Sequence, residues 1–175
     1  KILPRSLNDV KILPIKDQTY SGKWIKPDVV VTYGSIGLKQ KTDYTLSRTD
    51  HKYVGRAAIT VKGKGNFTGS RTIYFKINPK PVEITSLTSP KAGQLKVKWA
   101  KRSLGSGYQL KYWLSGNSAN AKTVTIRSKS TVSRLLTNLK KGKLYYVKVR
   151  AFKTVNGVKY YSSWSSKKKC RVKKL

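Results

Sequence analysis

Apolar and polar residues alternate with a period of two along most of this chain, and that rhythm leaves room for little besides strands. Val29, Val31 and Tyr33 stand against Val30 and Thr32; Ala57, Ile59 and Val61 against Ala58, Thr60 and Lys62; Ile73, Phe75 and Ile77 against Tyr74 and Lys76. Beyond Pro81 the pattern resumes: Leu95, Val97 and Trp99 against Lys96 and Lys98, then Tyr108, Leu110 and Tyr112 against Gln109 and Lys111. Val124 and Ile126 follow, and then Tyr145, Val147, Val149 and Ala151. Successive side chains of a strand point to opposite faces, so such runs bury one face and wet the other. An amphipathic helix needs apolar residues three and four apart, and that spacing is nearly absent. The expected class is all-β, with antiparallel sheets packed face to face.

The alternation breaks at Asn78-Pro79-Lys80-Pro81. Two prolines at alternate positions fix φ and withhold two amide donors, which predicts an extended segment outside any sheet. Residues 79–81 therefore read as a short, stiff linker that holds two modules end to end with a small interface. The flanking stretches, 9–78 and 82–175, each suit one sandwich domain. Residues 1–8, with Pro4 among them, read as an N-terminal tail or incoming linker. The two halves do not resemble each other, so a simple duplication is excluded. Nothing reaches the run of about 18 apolar residues that a spanning helix needs. The chain opens in ordinary-looking sequence without a signal-peptide pattern, and is expected to be a mature piece of a longer protein.

The second half, about residues 82–174, resembles a fibronectin type III module. Leu95, Val97 and Trp99 match its second strand, and Gly107, Tyr108, Leu110 and Tyr112 its third. The run from Leu139 through Gly142 to Tyr145, Val147, Val149 and Ala151 is similar to the turn into strand F. The resemblance implies that Trp99 is core and that Leu139 and Gly142 shape the turn. It also implies that Tyr145 forms a tyrosine corner, its hydroxyl tied to upstream backbone. Lys141 stands where the family usually has proline, and no Arg-Gly-Asp occurs, so integrin-type adhesion is not implied.

The first half, about residues 9–78, resembles the small β-rich repeats beside such modules in Gram-positive surface proteins. The residues that carry this are Tyr20-Ser21-Gly22-Lys23 with Ile25 and Pro27, Asp43-Tyr44-Thr45, and Val54-Gly55 followed by Gly63, Gly65 and Asn66-Phe67-Thr68-Gly69. An immunoglobulin-like sandwich is the first expectation and a β-grasp-like sheet the second. Together the resemblances imply a structural or spacer region of a secreted bacterial protein at the cell surface or cell wall, attached to other domains of the same polypeptide.

Charge narrows the partners. Lys and Arg number 39 against 6 Asp and Glu, a formal net charge of +33, and only nine of the cations are Arg. Split after Val82, the first half carries 16 basic and 5 acidic residues, and the second 23 basic and one acidic. Such a field attracts polyanions: an anionic cell-wall polymer, an acidic glycan, anionic lipid or nucleic acid. The competing reading is a solubilising surface. Lys dominance argues for diffuse attraction, because fork-shaped readout of bases or phosphates favours Arg. With no recognition helix or RNA-binding aromatic motif, specific nucleic-acid binding is not expected.

Catalytic, metal and cofactor chemistry find little support. The second half has Glu83 as its one acidic side chain and no histidine, which excludes a carboxylate pair there. His51, between Asp50 and Lys52, reads as a loop histidine, and one histidine with one cysteine makes no structural zinc site. Gly63 to Gly69 lacks the following helix and Gly-Lys-Ser/Thr ending of a phosphate-binding loop, and reads as a turn. Cys170, among cations, reads either as a reactive thiol or as a plain strand residue. Asn156-Gly157 signals a type I′ hairpin, placed where the family carries its F–G loop.

One constellation remains as a candidate binding face. If Tyr108, Leu110 and Tyr112 point inward, Lys111 and Trp113 point outward; if Val147, Val149 and Ala151 point inward, Tyr146, Lys148, Arg150 and Phe152 point outward. Trp164, in Ser162-Ser163-Trp164-Ser165-Ser166, resembles half of the tryptophan–serine motif of cytokine-receptor modules. Two readings stand. Trp164 packs on the stems of Lys148 or Arg150 as a cation–π ladder, or Lys111, Trp113, Tyr146, Lys148, Arg150 and Trp164 form a flat aromatic and basic face for a glycan or polymer.

Overall fold

The computed structural model describes residues 3–174. It divides into two compact units, Lys1–Asn78 and Pro79–Leu175. Both are built of strands, and each has its own core.

The first unit contains β1 (Arg5–Ser6), β2 (Lys11–Ile12), β3 (Gln18–Thr19), β4 (Val31–Tyr33), β5 (Ile36–Gly37), β6 (Tyr44–Thr49), β7 (Gly55–Gly63), β8 (Phe67–Thr68) and β9 (Ser70–Asn78). A four-stranded sheet runs β3-β9-β7-β6, and a smaller one β2-β4-β5. The alternation of β7 and β9 buries Ala57, Ile59, Val61, Phe75 and Ile77. Val61 and Tyr44 from the larger sheet share a core cluster with Val31 of the smaller one and with Leu7 and Val10. Where a β-grasp fold lays a helix across its sheet, this unit uses strands and loops. Its one helical element among the described residues is the 3₁₀ turn Leu7–Asp9. Gly65 and Gly69 both have positive φ in the turn between β7 and β9, closed by a Gly63 N–H to Gly69 carbonyl bond of 2.9 Å.

The expectation of a tail over residues 1–8 is corrected from Arg5 onward. Arg5 and Ser6 pair in parallel with Phe67 and Thr68. Leu7 is buried, and the Arg71 guanidinium donates to the carbonyls of Leu7 and Val10. One apolar side chain seated in the core and two carbonyls met by an arginine hold the segment down, although a two-residue strand is too short to show a rhythm in sequence.

The second unit is a sandwich of two antiparallel sheets. One sheet joins β10 (Ile84–Thr88), β11 (Leu95–Trp99) and β14 (Ser133–Leu136) in that order. The other joins β13 (Lys122–Ile126), β12 (Gly107–Leu114), β15 (Leu144–Val155) and β16 (Val158–Tyr161), with β17 (Lys168–Arg171) also paired to β15. Leu95, Val97 and Trp99 face Tyr108, Leu110, Val147, Val149 and Ala151 across one core. The β15–β16 hairpin turns at Asn156 and Gly157, with φ of 48° and 77°, as a type I′ turn requires.

Gly107 is the tightest point of the second sheet. It lies opposite Phe152 in the register, and a Cβ there would collide with the Ile126 carbonyl oxygen and press on the Phe152 ring. Backbone cannot step aside as a flexible side chain can. Gly107→Ala is therefore expected to destabilise this unit by at least about 1–3 kcal/mol, the usual cost of overpacking. An unchanged midpoint in thermal unfolding would contradict it.

Candidate binding face

Strands β12 and β15 carry the face, and their register brings its residues into rows. Lys111 lies opposite Lys148, Trp113 opposite Tyr146, and Gln109 opposite Arg150. The Trp113 and Tyr146 rings stack at 5.8 Å, with the Lys167 ammonium 5.1 Å from the Tyr146 centroid. Arg150 lies 4.4 Å from the Trp164 centroid and 4.0 Å from that of Tyr161. Its Nε and Nη2 both donate to Gln109 Oε1, at 2.9 and 2.7 Å. Partial burial pulls the Arg150 guanidinium below its ordinary pKa, with Tyr161 opposing that shift. Trp164 thus packs on Arg150 as a cation–π ladder, a contact worth about 0.5–2 kcal/mol.

Lys111 and Lys148 differ from Arg150. With Trp113, Ser118, Ala121 and Trp164 they line a hollow of about 220 Å³. Among the described residues neither ammonium has a hydrogen-bond partner. Phe152, expected on the same outward face, is instead buried. Tyr161 packs on it at 6.0 Å, the Lys159 ammonium caps it at 5.7 Å, and the missing side chain of Gly107 makes room for it.

Serines finish the edge of β15. β17 pairs with its first residues and β16 with its last, leaving a gap between them. Ser165 fills one position: its hydroxyl accepts from the Val149 N–H at 3.0 Å and its own N–H donates to the Val149 carbonyl at 2.8 Å. Ser162 does the same for Ala151, at 3.0 and 2.9 Å. Both serines are buried, Trp164 between them is half-buried, and Ser163 and Ser166 are exposed. The tryptophan–serine motif names these serines, but only the strand register shows that Ser162 and Ser165 complete the edge of β15.

Trp99 and Tyr145 lie behind this face. Trp99 is 2% exposed, tilted against the Tyr108 ring at 5.4 Å. Tyr145 is buried, and its hydroxyl accepts the Lys140 N–H at 3.1 Å. Leu139 is buried beside it, and Gly142 turns at φ 70°. A three-stranded sheet facing a sheet with β12 and β15 at its centre, closed by a tyrosine corner, defines the architecture. The second unit has the fibronectin type III, immunoglobulin-like fold.

Among solved structures, the fibronectin type III domain of human contactin 1 is similar at 20% identity and a TM-score of 0.47, over 54% of this chain and 77% of that one. The chicken CNTN1 FN1–FN3 domains are similar at 20% identity and a TM-score of 0.47, over 94% of this chain and 52% of that one. A redesigned β-sandwich protein is similar at 20% identity and a TM-score of 0.46, over 55% of this chain and 92% of that one. No family model matches the chain, and no curated protein does.

The remaining candidates lie elsewhere. In the fibronectin-like module, Cys170 sits on β17 opposite Tyr145 and packs against the core. Burial pushes its thiol pKa up, away from the thiolate, so the plain strand reading suits it better than the reactive one. In the first unit, His51 is in a loop as expected, and it is fully buried. Its Nδ1 lies 2.8 Å from the Ile25 carbonyl and its Nε2 2.9 Å from the Ala58 carbonyl. Among the described residues no group of three or more His, Cys, Asp and Glu could hold a metal. No helix there is long and apolar enough to cross a membrane.

Proposed function

We propose that the chain is a non-catalytic spacer region of a secreted bacterial surface protein, held near an anionic cell envelope by its lysines. The observation that carries this reading is the pairing of two strand-built units in tandem with a net charge of +33. Each unit has its own apolar core, and Lys takes outward strand positions, as at Lys96 and Lys98 of β11. Attraction of this kind is spread over many contacts, so no single lysine dominates it.

The test is a titration of the chain with teichoic acid or heparin at several salt concentrations. The logarithm of the affinity is expected to fall linearly and steeply with that of the salt concentration, as counterion release dictates. A single reversal far from the Lys111–Lys148 hollow, such as Lys96→Glu, is expected to weaken binding only about twofold or less, in line with the small worth of one exposed charge. Salt-insensitive binding would overturn the proposal, as would turnover of a glycan, peptidoglycan or ester substrate with a defined pH optimum. A second reading, a carbohydrate-binding or cell-wall-polymer-binding adhesion module, is favoured by the hollow in which Lys111 and Lys148 meet Trp113 and Trp164.

A further inference from the structure

We infer that the hollow between Lys111 and Lys148 is a binding site for an acidic glycan, taking the carboxylate of one sugar residue between the two ammonium groups. This goes beyond the spacer reading and does not depend on it.

Folding alone disfavours the arrangement of this pair. Lys111 and Lys148 are directly opposite on paired strands, and both are partly buried. Like charges in that position repel and destabilise a sheet. Two other cations of this face find partners. Arg150 has Gln109, Tyr161 and Trp164, and Lys167 has Tyr146. The Lys pair has none of these. The module's one acidic side chain, Glu83, precedes β10 in the other sheet and cannot neutralise them from there. An anion placed between the two ammoniums would receive charge-assisted hydrogen bonds from both and cancel their repulsion.

The walls select what carries that anion. Trp113 and Trp164 flank the hollow from either end, one braced by Tyr146 and the other by Arg150. Rings held by such contacts are rigid platforms, and the flat C–H face of a pyranose stacks on an indole. An extended polyol-phosphate chain offers no such face. At about 220 Å³ the hollow is smaller than the usual range for drug-sized ligands, about 300–1,000 Å³. It fits one ring rather than a folded partner. Ser118 and Ala121 complete the lining with small groups.

Calorimetric titration of the whole chain with tetragalacturonate tests this, at about 150 mM salt, where diffuse attraction is screened beyond about 8 Å. Saturable binding is expected for the acid and none for its methyl ester. The double variant Lys111→Gln/Lys148→Gln is expected to lose about tenfold or more in affinity, as for lost charge-assisted hydrogen bonds. The control Lys96→Gln/Lys98→Gln, with the same charge removed from exposed positions of the other sheet, should lose about twofold or less. Melting of the unliganded Lys111→Gln/Lys148→Gln chain is expected at or above the parent temperature, because the repelling pair is gone. Equal losses in the two double variants would overturn the site and leave the envelope-retention reading standing. So would failure of tetragalacturonate to bind a chain that still binds teichoic acid. Polyphosphate binding as tightly at the same lysines would overturn the glycan assignment, and a lower melting temperature would overturn the account of the pair as a strained arrangement.

Discussion

Trp99→Ala is expected to destabilise the second module by about 3–5 kcal/mol, the range for truncating a large aromatic in a packed core. Trp99 fills the space between the sheets against Tyr108, and alanine would leave a cavity that strands pinned on both sides cannot collapse into. Its indole Nε1 is buried without a hydrogen-bond partner. Trp99→Phe should therefore cost much less, about 2 kcal/mol or below, because it keeps most of the ring volume and removes an unpaired donor. Calorimetric unfolding of both variants reads the difference. Equal losses for Ala and Phe would show that something other than volume holds the position.

His51→Leu is expected to cost the first unit about 1–4 kcal/mol, although leucine is close in size and more apolar. The imidazole fastens two segments distant in sequence. One ring nitrogen meets the Ile25 carbonyl and the other the Ala58 carbonyl on β7, while the His51 carbonyl accepts from the Ile25 N–H at 3.0 Å. Which of the two nitrogens donates depends on the ring tautomer. Leucine strands the buried carbonyl that the protonated ring nitrogen serves, at about 1–3 kcal/mol, and gives up the edge contact with Phe75 at 5.1 Å. Denaturant unfolding should show the first unit's midpoint lowered and the second's unmoved. An unshifted first midpoint would mean that water replaces the ring freely.

His51 also marks where reading the sequence stopped. Between Asp50 and Lys52 it reads as a loop histidine, and local polarity is the only signal there. Its burial is decided by Ile25 and Ala58, one of them far off in the chain. Phe152 failed for a related reason: alternation placed it outward with Arg150, but a glycine on the facing strand lets it sink under Tyr161 and Lys159. Where a residue's surroundings repeat every second position, the reading was sound. The burial of β11 and of the first half of β15 follows the alternation of their residues. The candidate face was legible as a set of outward residues. Its division into a self-satisfied ladder around Arg150 and an unsatisfied pair at Lys111 and Lys148 was not, since register and rotamer decide it.

The serine insert beside β15 has a consequence for how such chains tolerate crowding. A strand that ends its pairing early offers bare amides and carbonyls to any extended peptide that drifts past, which is how sheets of separate molecules fuse. Ser162 and Ser165 occupy those positions from within, each with a hydroxyl and a backbone N–H, at the place where the flanking strands fall short. The Ser162-to-Ser165 stretch thus acts as an insulating hem. Modules concentrated side by side on a surface would meet there through side chains and water, and could slide past one another without zipping together.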